Sequence, residues 1–301
     1  MKFQLLLSSV LLVSTTATAQ SNNQQEILPP PDSEIHLFEL SNKDGKYNLS
    51  SGVNISNNSG YDNQPFFTEN SDSLLFVSNR DGKQTDVYEY HLTSNKTSQI
   101  TKTPHNEYSP KTIENSSRIS FVSEGGNPYQ SVWTMDKNTG ESRWLLNSKE
   151  PVGYYSANSK TGDVLFWSRY GRSVQYLNLN KNQERFVSGH AIPSSPQQIP
   201  NSDNFSFVHR QANGEAWIKS FDPKSFSITP IAPINGTNYD YTWTPTGDIL
   251  RIENNQLFVW SNKSFDTHWQ LAQDLSQQFK GKLSRLAVSA DGAKIALVEN
   301  R

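Results

Sequence analysis

Residues 68–77 read TENSDSLLFV, a polar turn that leads directly into a short apolar strand. Five later stretches repeat this unit: ENSSRISFV (114–122), NSKTGDVLFW (158–167), PNSDNFSFV (200–208), TPTGDILRI (244–252) and SADGAKIALV (289–298). Aligned at Phe76, Phe121, Phe166, Phe207, Arg251 and Leu297, the copies are 45, 45, 41, 44 and 46 residues apart. A period in the forties is the length that four short strands and their turns require.

Two more predicted strands follow most copies of the unit. The third strand of each repeat carries aromatic or branched apolar residues, and the segments are 86–90, 131–135, 173–177, 215–220 and 256–260. A fourth strand follows, for example at 97–101 and 143–146. The composition supports short strands joined by turns, because Asn, Ser, Thr and Gln are abundant and strong helix formers are sparse. The sequence therefore predicts an all-β protein built of four-stranded antiparallel blades, a β-propeller.

The sixth copy ends at Arg301 after only two strands, whereas residues 34–40 and 46–51 form an orphan hairpin near the start. We predict that this hairpin completes the C-terminal blade and closes a six-bladed ring, which also removes two exposed sheet edges. The segment 269–279 fits a short helix or a strand, and we favour a strand followed by a loop. The single propeller domain covers 34–301, and its predicted blades are 283–301 with 34–58, then 60–104, 107–150, 151–190, 193–236 and 238–281.

The first residues have the layout of a secretory signal peptide. Lys2 supplies the positive start, residues 5–13 are apolar, and Ala17 and Ala19 form a small-residue cleavage site. We predict cleavage after Ala19, a flexible leader over 20–33, and a periplasmic or secreted protein. The chain has no cysteine, which excludes disulfides and thiolate metal sites. Its formal net charge of −2 carries no basic cluster, so we expect neither a nucleic-acid partner nor insertion into a membrane.

The unit at 289–298 and the stretch 75–82, LFVSNRDG, resemble the repeat of TolB-like propellers, in which a Ser-Pro-Asp-Gly turn leads to a strand and a Ser-x-Arg-x-Gly loop. Residues 86–90, DVYEY, and 99–101, QIT, continue the resemblance, which covers about 34–301. Most copies lack the full turn, so the chain looks like a divergent member. Only 20–33 precedes the first predicted strand, and we therefore expect the N-terminal domain of TolB itself to be absent. The resemblance implies a six-bladed propeller.

Motifs for chemistry are absent from the sequence. It contains no Gly-x-Ser-x-Gly elbow, no phosphate-binding glycine-rich loop and no His-Glu-x-x-His. The six histidines, at positions 36, 91, 105, 190, 209 and 268, are too far apart along the chain to form a local metal pair. Asp-Gly pairs such as Asp291-Gly292 fit hairpin turns better than calcium loops. We predict no catalytic residues, no cofactor and no metal site.

A surface for recognition is predicted from the geometry of an up-and-down blade. The loop that leads into the first strand and the loop between the second and third strands lie at the same end of the blade. We call this end of the disc the lead-in face. Tyrosine and arginine give large contact areas and directional hydrogen bonds. The side chains predicted to bind a ligand there are Asp62, Glu107, Tyr154, Tyr155 and Asp240 near the axis, and Arg80, Arg169 and Arg210 around them.

Three functions are compatible with this arrangement. The first is a monomeric, non-catalytic scaffold that binds a protein, peptide or glycan at the channel mouth. The second is a lyase or hydrolase acting on a polysaccharide, for which Tyr154, Tyr155, His190 and Arg172 are the first candidates as base or charge stabiliser. The third is a structural repeat module that tethers surface machinery without a small ligand.

Overall fold

The computed structural model describes residues 31–50, 52–80, 82, 84–125, 129–146, 148–261 and 268–301. The predicted signal peptide and most of the predicted leader lie outside these residues. Every regular element in the described part of the chain is a β-strand. No helix there is long and apolar enough to cross a membrane.

The strands form six sheets arranged as the blades of a propeller. The chain begins with β1 (Ser33–Lys43), β2 (Lys46–Leu49) and the short β3 (Val53–Asn54). Blade 1 consists of β4 (Asp62–Phe67), β5 (Ser73–Ser78), β6 (Asp86–His91) and β7 (Lys96–Gln99). Blade 2 consists of β8 (Glu107–Thr112), β9 (Arg118–Ser123), β10 (Ser131–Asp136) and β11 (Ser142–Leu146). Blade 3 consists of β12 (Val152–Asn158), β13 (Asp163–Ser168), β14 (Ser173–Asn178) and β15 (Gln183–Ser188).

The second half of the ring follows the same plan. Blade 4 consists of β16 (Gln197–Gln198), β17 (Phe205–Arg210), β18 (Ala216–Phe221) and β19 (Ile228–Ile234). Blade 5 consists of β20 (Tyr241–Trp243), β21 (Ile249–Glu253), β22 (Gln256–Trp260) and β23 (Gln270–Asp274). The last two strands are β24 (Lys282–Val288) and β25 (Lys294–Asn300). The segment 269–279 thus forms a strand and then a turn, as favoured from the sequence.

The sixth blade is a composite of both chain ends, which confirms the predicted closure. Its strand order is β24-β25-β1-β2, with β24 innermost, and all pairings are antiparallel. Ile35 pairs with Val298 and Phe38 pairs with Ile295 along the joint. Strand β3 also pairs with β1. The strand from the N-terminal region is therefore an interior strand of this blade.

The repeated turn contains a residue with a positive φ in every blade. Between the first and second strands, one residue has a positive φ, and these residues are Ser71, Asn115, Gly162, Asn201, Gly247 and Gly292. Glycine and asparagine adopt this conformation at low cost, so the turn is encoded locally. The six turns lie at one end of the disc, opposite the lead-in face, and we call that end the turn face.

The hydrophobic core is divided into six clusters, and each cluster fills the space between two neighbouring blades. All six residues of β5 and all six of β13 are buried, because both faces of a second strand are covered by adjacent blades. The outermost strand β11 is mostly exposed. Two of the clusters join the composite blade to blades 5 and 1, so the ring is closed by apolar packing as well as by strand pairing.

Candidate functional site

Four of the predicted ligand-binding residues lie in strands and not in the loops that the sequence analysis indicated. Asp62 and Glu107 are the first residues of β4 and β8, and Tyr154 and Tyr155 lie within β12, so all four belong to first strands and not to the loops before them. The structure also gives these side chains intramolecular partners. Those contacts determine which of them are available to a ligand.

The arginines of the lead-in face bind neighbouring side chains. Each guanidinium donates to a group on the same face, and the pairs are Arg80 with Asp62 (2.9 Å), Arg169 with Glu124 (3.2 Å) and Arg210 with the hydroxyl of Tyr239 (3.0 Å). The first and third pairs lie within single blades or their adjoining loops, whereas the second links blades 2 and 3. These contacts hold the face together, and a ligand would have to compete with them.

Glu107 is fully buried between blades 1 and 2. Thr101 donates a hydrogen bond to its Oε2 at 2.7 Å, and the hydroxyl of Thr103 contacts its other oxygen. Burial, with the Asp86 carboxyl beside it, raises the pKa of Glu107 to about 8. Glu107 is therefore a protonated group inside a blade interface at neutral pH.

Tyr155 is also buried, and its hydroxyl donates to Ser120 Oγ at 2.7 Å. Tyr241 makes the same contact with Ser206 Oγ, also at 2.7 Å, between blades 5 and 4. Both tyrosines therefore join the first strand of one blade to the second strand of the preceding blade. Burial raises the pKa of the Tyr155 hydroxyl, which keeps it neutral.

Tyr154 and Asp240 meet at the axis through an arginine that the sequence analysis did not select. Arg285, on β24 of the composite blade, donates from Nη2 to the hydroxyl of Tyr154 at 2.8 Å. Its Nε lies 3.7 Å from Asp240 Oδ2, and its guanidinium carbon lies 5.1 Å from the centroid of the Tyr154 ring. Blade 3 faces the composite blade across the ring, so this hydrogen bond crosses the channel. The lining of the central cavity includes Arg285 and Asp240 but none of the arginines of the lead-in loops, so we interpret this contact as the closure of the channel toward the lead-in face.

The central channel extends from this closure to the turn face. Its cavity, together with a side groove between blades 2 and 3, has a volume of about 760 Å³. Arg285 and Asp240 line one end, and turn residues such as Ala290 and Pro200 line the other. The first strands of all six blades contribute to the wall. The channel is therefore a blind tube that opens on the turn face.

Equivalent positions of the six first strands form a ring in this wall. Each member pairs with the second-strand residue that comes immediately before one of the aligned residues of the repeat, such as Phe76 or Phe121. The six members are Phe66, Lys111, Ser156, Gln197, Thr242 and Ala287. All six line the cavity. Lys111 is the one charged residue among them.

Lys111 is half-buried, and its ammonium lies over two aromatic rings. Nζ is 4.7 Å from the ring centroid of Phe66 and 5.8 Å from that of Tyr155. Within the described residues, Nζ has no hydrogen bond and no ion pair. Burial lowers the pKa of Lys111 to about 8, so the amine still carries its charge at neutral pH.

The residues considered for a polysaccharide-acting enzyme are not brought together as a set. Arg172 and His190 are exposed in loops of the lead-in face, and both have positive φ angles. The Tyr155 hydroxyl is engaged between blades, as described above. Of the four, Tyr154 alone contacts the closure of the channel.

The sequence analysis missed Lys111 and Arg285. Both lie in first strands that contain a register shift, between Tyr108 and Lys111 in β8 and between Leu283 and Leu286 in β24. Such irregularities redirect side chains next to functional sites. Aligning the first strands with the repeat would have shown a lysine where the other blades carry uncharged residues.

Comparison with solved structures supports the fold. The chain is similar to TolB from Acinetobacter baumannii, with a TM-score of 0.56 and 13% identity over 89% of this chain and 64% of that one. It is similar to a putative TolB from Agrobacterium tumefaciens, with a TM-score of 0.64 and 12% identity over 90% and 99% of the two chains. It is also similar to an oligogalacturonate lyase in complex with manganese, with a TM-score of 0.54 and 14% identity over 85% and 83%. No protein-family model and no curated protein matches the chain.

These likenesses show that the chain has the six-bladed propeller fold of TolB. It spans 64% of the length of the Acinetobacter TolB chain. One of the similar structures is in complex with manganese, which would require a set of oxygen or nitrogen ligands. The described residues contain no group of three His, Cys, Asp or Glu side chains that could hold a metal ion. The described part of the chain therefore does not fit such an ion.

Proposed function

We propose that this TolB-like propeller is an exported, non-catalytic binding protein that receives an extended segment of a partner polypeptide in its central channel from the turn face. The observation that carries the proposal is the blind channel, open at the turn face and closed at the other end by the hydrogen bond between Arg285 and Tyr154. The predicted signal peptide supports a periplasmic or secreted location.

The chemistry of the channel wall supports binding. Ligand pockets combine apolar surface with a few directed polar groups. The wall contains aromatic and proline surface from Phe66, Pro65 and Trp243, and polar groups from Lys111, Ser156 and Thr242. No histidine lines the cavity in the described part of the chain. Such a tube can admit an extended polypeptide, which rises about 3.3 Å per residue, more readily than it can admit the surface of a folded protein.

The predicted site on the lead-in face stays a prediction. Its arginines and carboxyl groups are engaged with neighbouring groups of the protein, so we assign most of them to holding the blades in place. Asp240 belongs to both descriptions, because it lies at the closed end of the channel beside Arg285. The affinity of a partner that binds the lead-in face would fall on substitution of Arg169 and Arg210 and would not change on substitution of residues in the turn face.

A pair of variants in one turn tests where the partner binds. Ala290 is exposed and lines the cavity, whereas Ala293 is exposed in the same turn and does not line it. We expect Ala290→Trp to narrow the open end and weaken binding about tenfold or more, and Ala293→Trp to have no effect. The probe is a soluble library of linear random peptides, selected on the native protein by affinity and mass spectrometry and then measured by fluorescence anisotropy.

Three results of this experiment would count against a channel site. Selection of no peptide by the native protein would contradict peptide binding itself. Equal affinities of the native and Ala290→Trp proteins would place the peptide elsewhere. Loss of binding in an Arg169→Ala, Arg210→Ala double variant, with Ala290→Trp unaffected, would support the lead-in face instead.

A second candidate, a lyase for an acidic polysaccharide, rests on one observation. The Tyr154 hydroxyl lies 2.8 Å from the Arg285 guanidinium at the channel end. In its phenolate form, a tyrosine at this place could take the proton from the carbon beside a carboxylate that the arginine neutralises, while the glycosidic oxygen leaves from the next carbon and a C=C bond forms. Incubation with oligogalacturonate, followed through the ultraviolet absorbance of an unsaturated product, tests this function. Under the binding proposal we expect no product. Product formation that Tyr154→Phe abolishes would establish the lyase instead.

A further inference from the structure

We infer that the channel recognises the free C-terminal carboxylate of its peptide, and that the ammonium of Lys111 is the group that binds it. This inference rests on the proposed function, because it names the part of the polypeptide that the channel receives. It follows from three properties of the channel wall: the position of Lys111, the absence of an internal partner for it, and the closed end beside it.

Lys111 places one positive charge at one level of the tube. The other five members of its ring are uncharged, and they are Phe66, Ser156, Gln197, Thr242 and Ala287. Gln197 uses its amide internally, since its Nε2 donates to the carbonyl of Tyr241. A ligand at this level therefore meets a single cation surrounded by apolar and neutral polar groups.

The ammonium has no internal counter-ion. The described residues offer it only the faces of Phe66 and Tyr155, and such contacts satisfy part of the electrostatic requirement of a charge removed from water. A charge that is partly removed from water is costly unless it is paired. A carboxylate supplied by a ligand would pair with it, and hydrogen bonds between charged groups are about twice as strong as neutral ones.

The closed end explains why the carboxylate belongs to a chain terminus. Arg285 precedes the ring position Ala287 by two residues, so the closure lies about 7 Å beyond the level of Lys111. A polypeptide that entered by its middle would have to fold back inside the tube, whereas a terminus can stop there. Arg285 itself already binds Tyr154 and Asp240. The available charge is thus one cation close to a dead end, which matches one terminal anion.

A chain with many carboxylates is a poorer match. An acidic polymer presents an anion at each repeat and requires a row of cations along the wall. Of the cations that the first strands place in the channel, Arg285 is paired and Lys111 is free of ion pairs within the described residues. Two other arginines that line the cavity, Arg118 and Arg143, lie in β9 and β11 beside the side groove and not in the first strands. The wall of first strands therefore fits a single carboxylate at the leading end of an otherwise neutral or apolar peptide.

Paired ligands that differ only in the terminal group test this inference. The best peptide selected from the random library is compared with the same peptide carrying a C-terminal amide, both by fluorescence anisotropy on the full protein. We expect the acid to bind about tenfold or more tightly than the amide. We expect Lys111→Met to remove this difference and Lys111→Arg to keep part of it. Lys96→Met, at an exposed lysine of β7, is the matched control and should retain the difference.

The outcomes separate this inference from the proposed function. If acid and amide bind the native protein equally while Ala290→Trp still weakens binding, the channel site stands and the carboxylate inference is overturned. An amidated peptide with an internal aspartate that binds as tightly as the free acid would also overturn it. If Ala290→Trp has no effect, the proposed channel function fails first. Thermal unfolding of each variant shows that a lost preference does not reflect a lost fold, and Lys111→Arg preserves the charge where Lys111→Met does not.

Discussion

Removal of residues 294–301 is expected to abolish the folded propeller as a whole. The deletion removes β25, which pairs with β24 on one side and with β1 on the other. Ile295 and Leu297 contribute to the cluster shared with blade 5, and Val298 contributes to the cluster shared with blade 1. Burial of these three side chains is worth about 5–9 kcal/mol. The whole stability of a typical domain is about 5–15 kcal/mol.

Urea unfolding followed by circular dichroism measures this effect. The native protein should show one cooperative transition, and the truncated protein should show none. Phe38→Ala provides a milder variant of the same joint, because Phe38 is buried in β1 and its loss is expected to cost about 3–5 kcal/mol. Lys43→Ala, at an exposed position near the end of β1, is the control and should leave the transition unchanged. A truncated protein that still unfolds cooperatively with near-native stability would show that the ring does not depend on the composite blade.

The architecture was predictable because its signals are local. The turn before each second strand needs a residue that tolerates a positive φ, and the six blades supply Ser71, an asparagine (Asn115 and Asn201) or a glycine at this place. The second strands are apolar throughout because blades cover them on both faces. The last repeat lacks two strands and the N-terminal hairpin belongs to no other repeat, so together they predict one complete blade. None of these inferences depends on which blades face one another across the ring.

The candidate site depends on relations that the repeat does not contain. Arg285 meets Tyr154 only because the composite blade and blade 3 are opposite, and their separation in the chain is 131 residues. The register shift before Lys111 changes which side chains of β8 face the channel, and no turn motif marks it. The charged pairs could not be predicted from the repeat either, since Arg169 binds Glu124 of the preceding blade and not a carboxyl group of its own blade. Sequence reasoning therefore predicted a site near the axis of the lead-in face and selected residues that mainly connect blades.

The buried carboxyl of Glu107 predicts a strong dependence of stability on pH. Burial, with Asp86 beside it, raises the pKa of Glu107 to about 8 in the folded protein. In the unfolded chain the group loses its proton near its ordinary pKa of about 4.3. Between these values the folded state binds more protons than the unfolded state, so the free energy of unfolding falls as the pH rises. We expect a loss on the order of 2–4 kcal/mol between about pH 5 and about pH 8.

Glu107→Gln isolates this contribution because glutamine keeps an acceptor for Thr101 but does not ionise. We expect the variant to lose most of the slope, and therefore to gain stability relative to the native protein toward pH 8. Glu141→Gln, at an exposed position of the same blade, is the control and should leave the slope unchanged. Urea unfolding at a series of pH values measures both slopes. Parallel curves for the native and Glu107→Gln proteins would contradict the raised pKa. A reduced slope would show that blades 1 and 2 are joined through a protonated carboxyl group, so that raising the pH loosens this one interface of the ring.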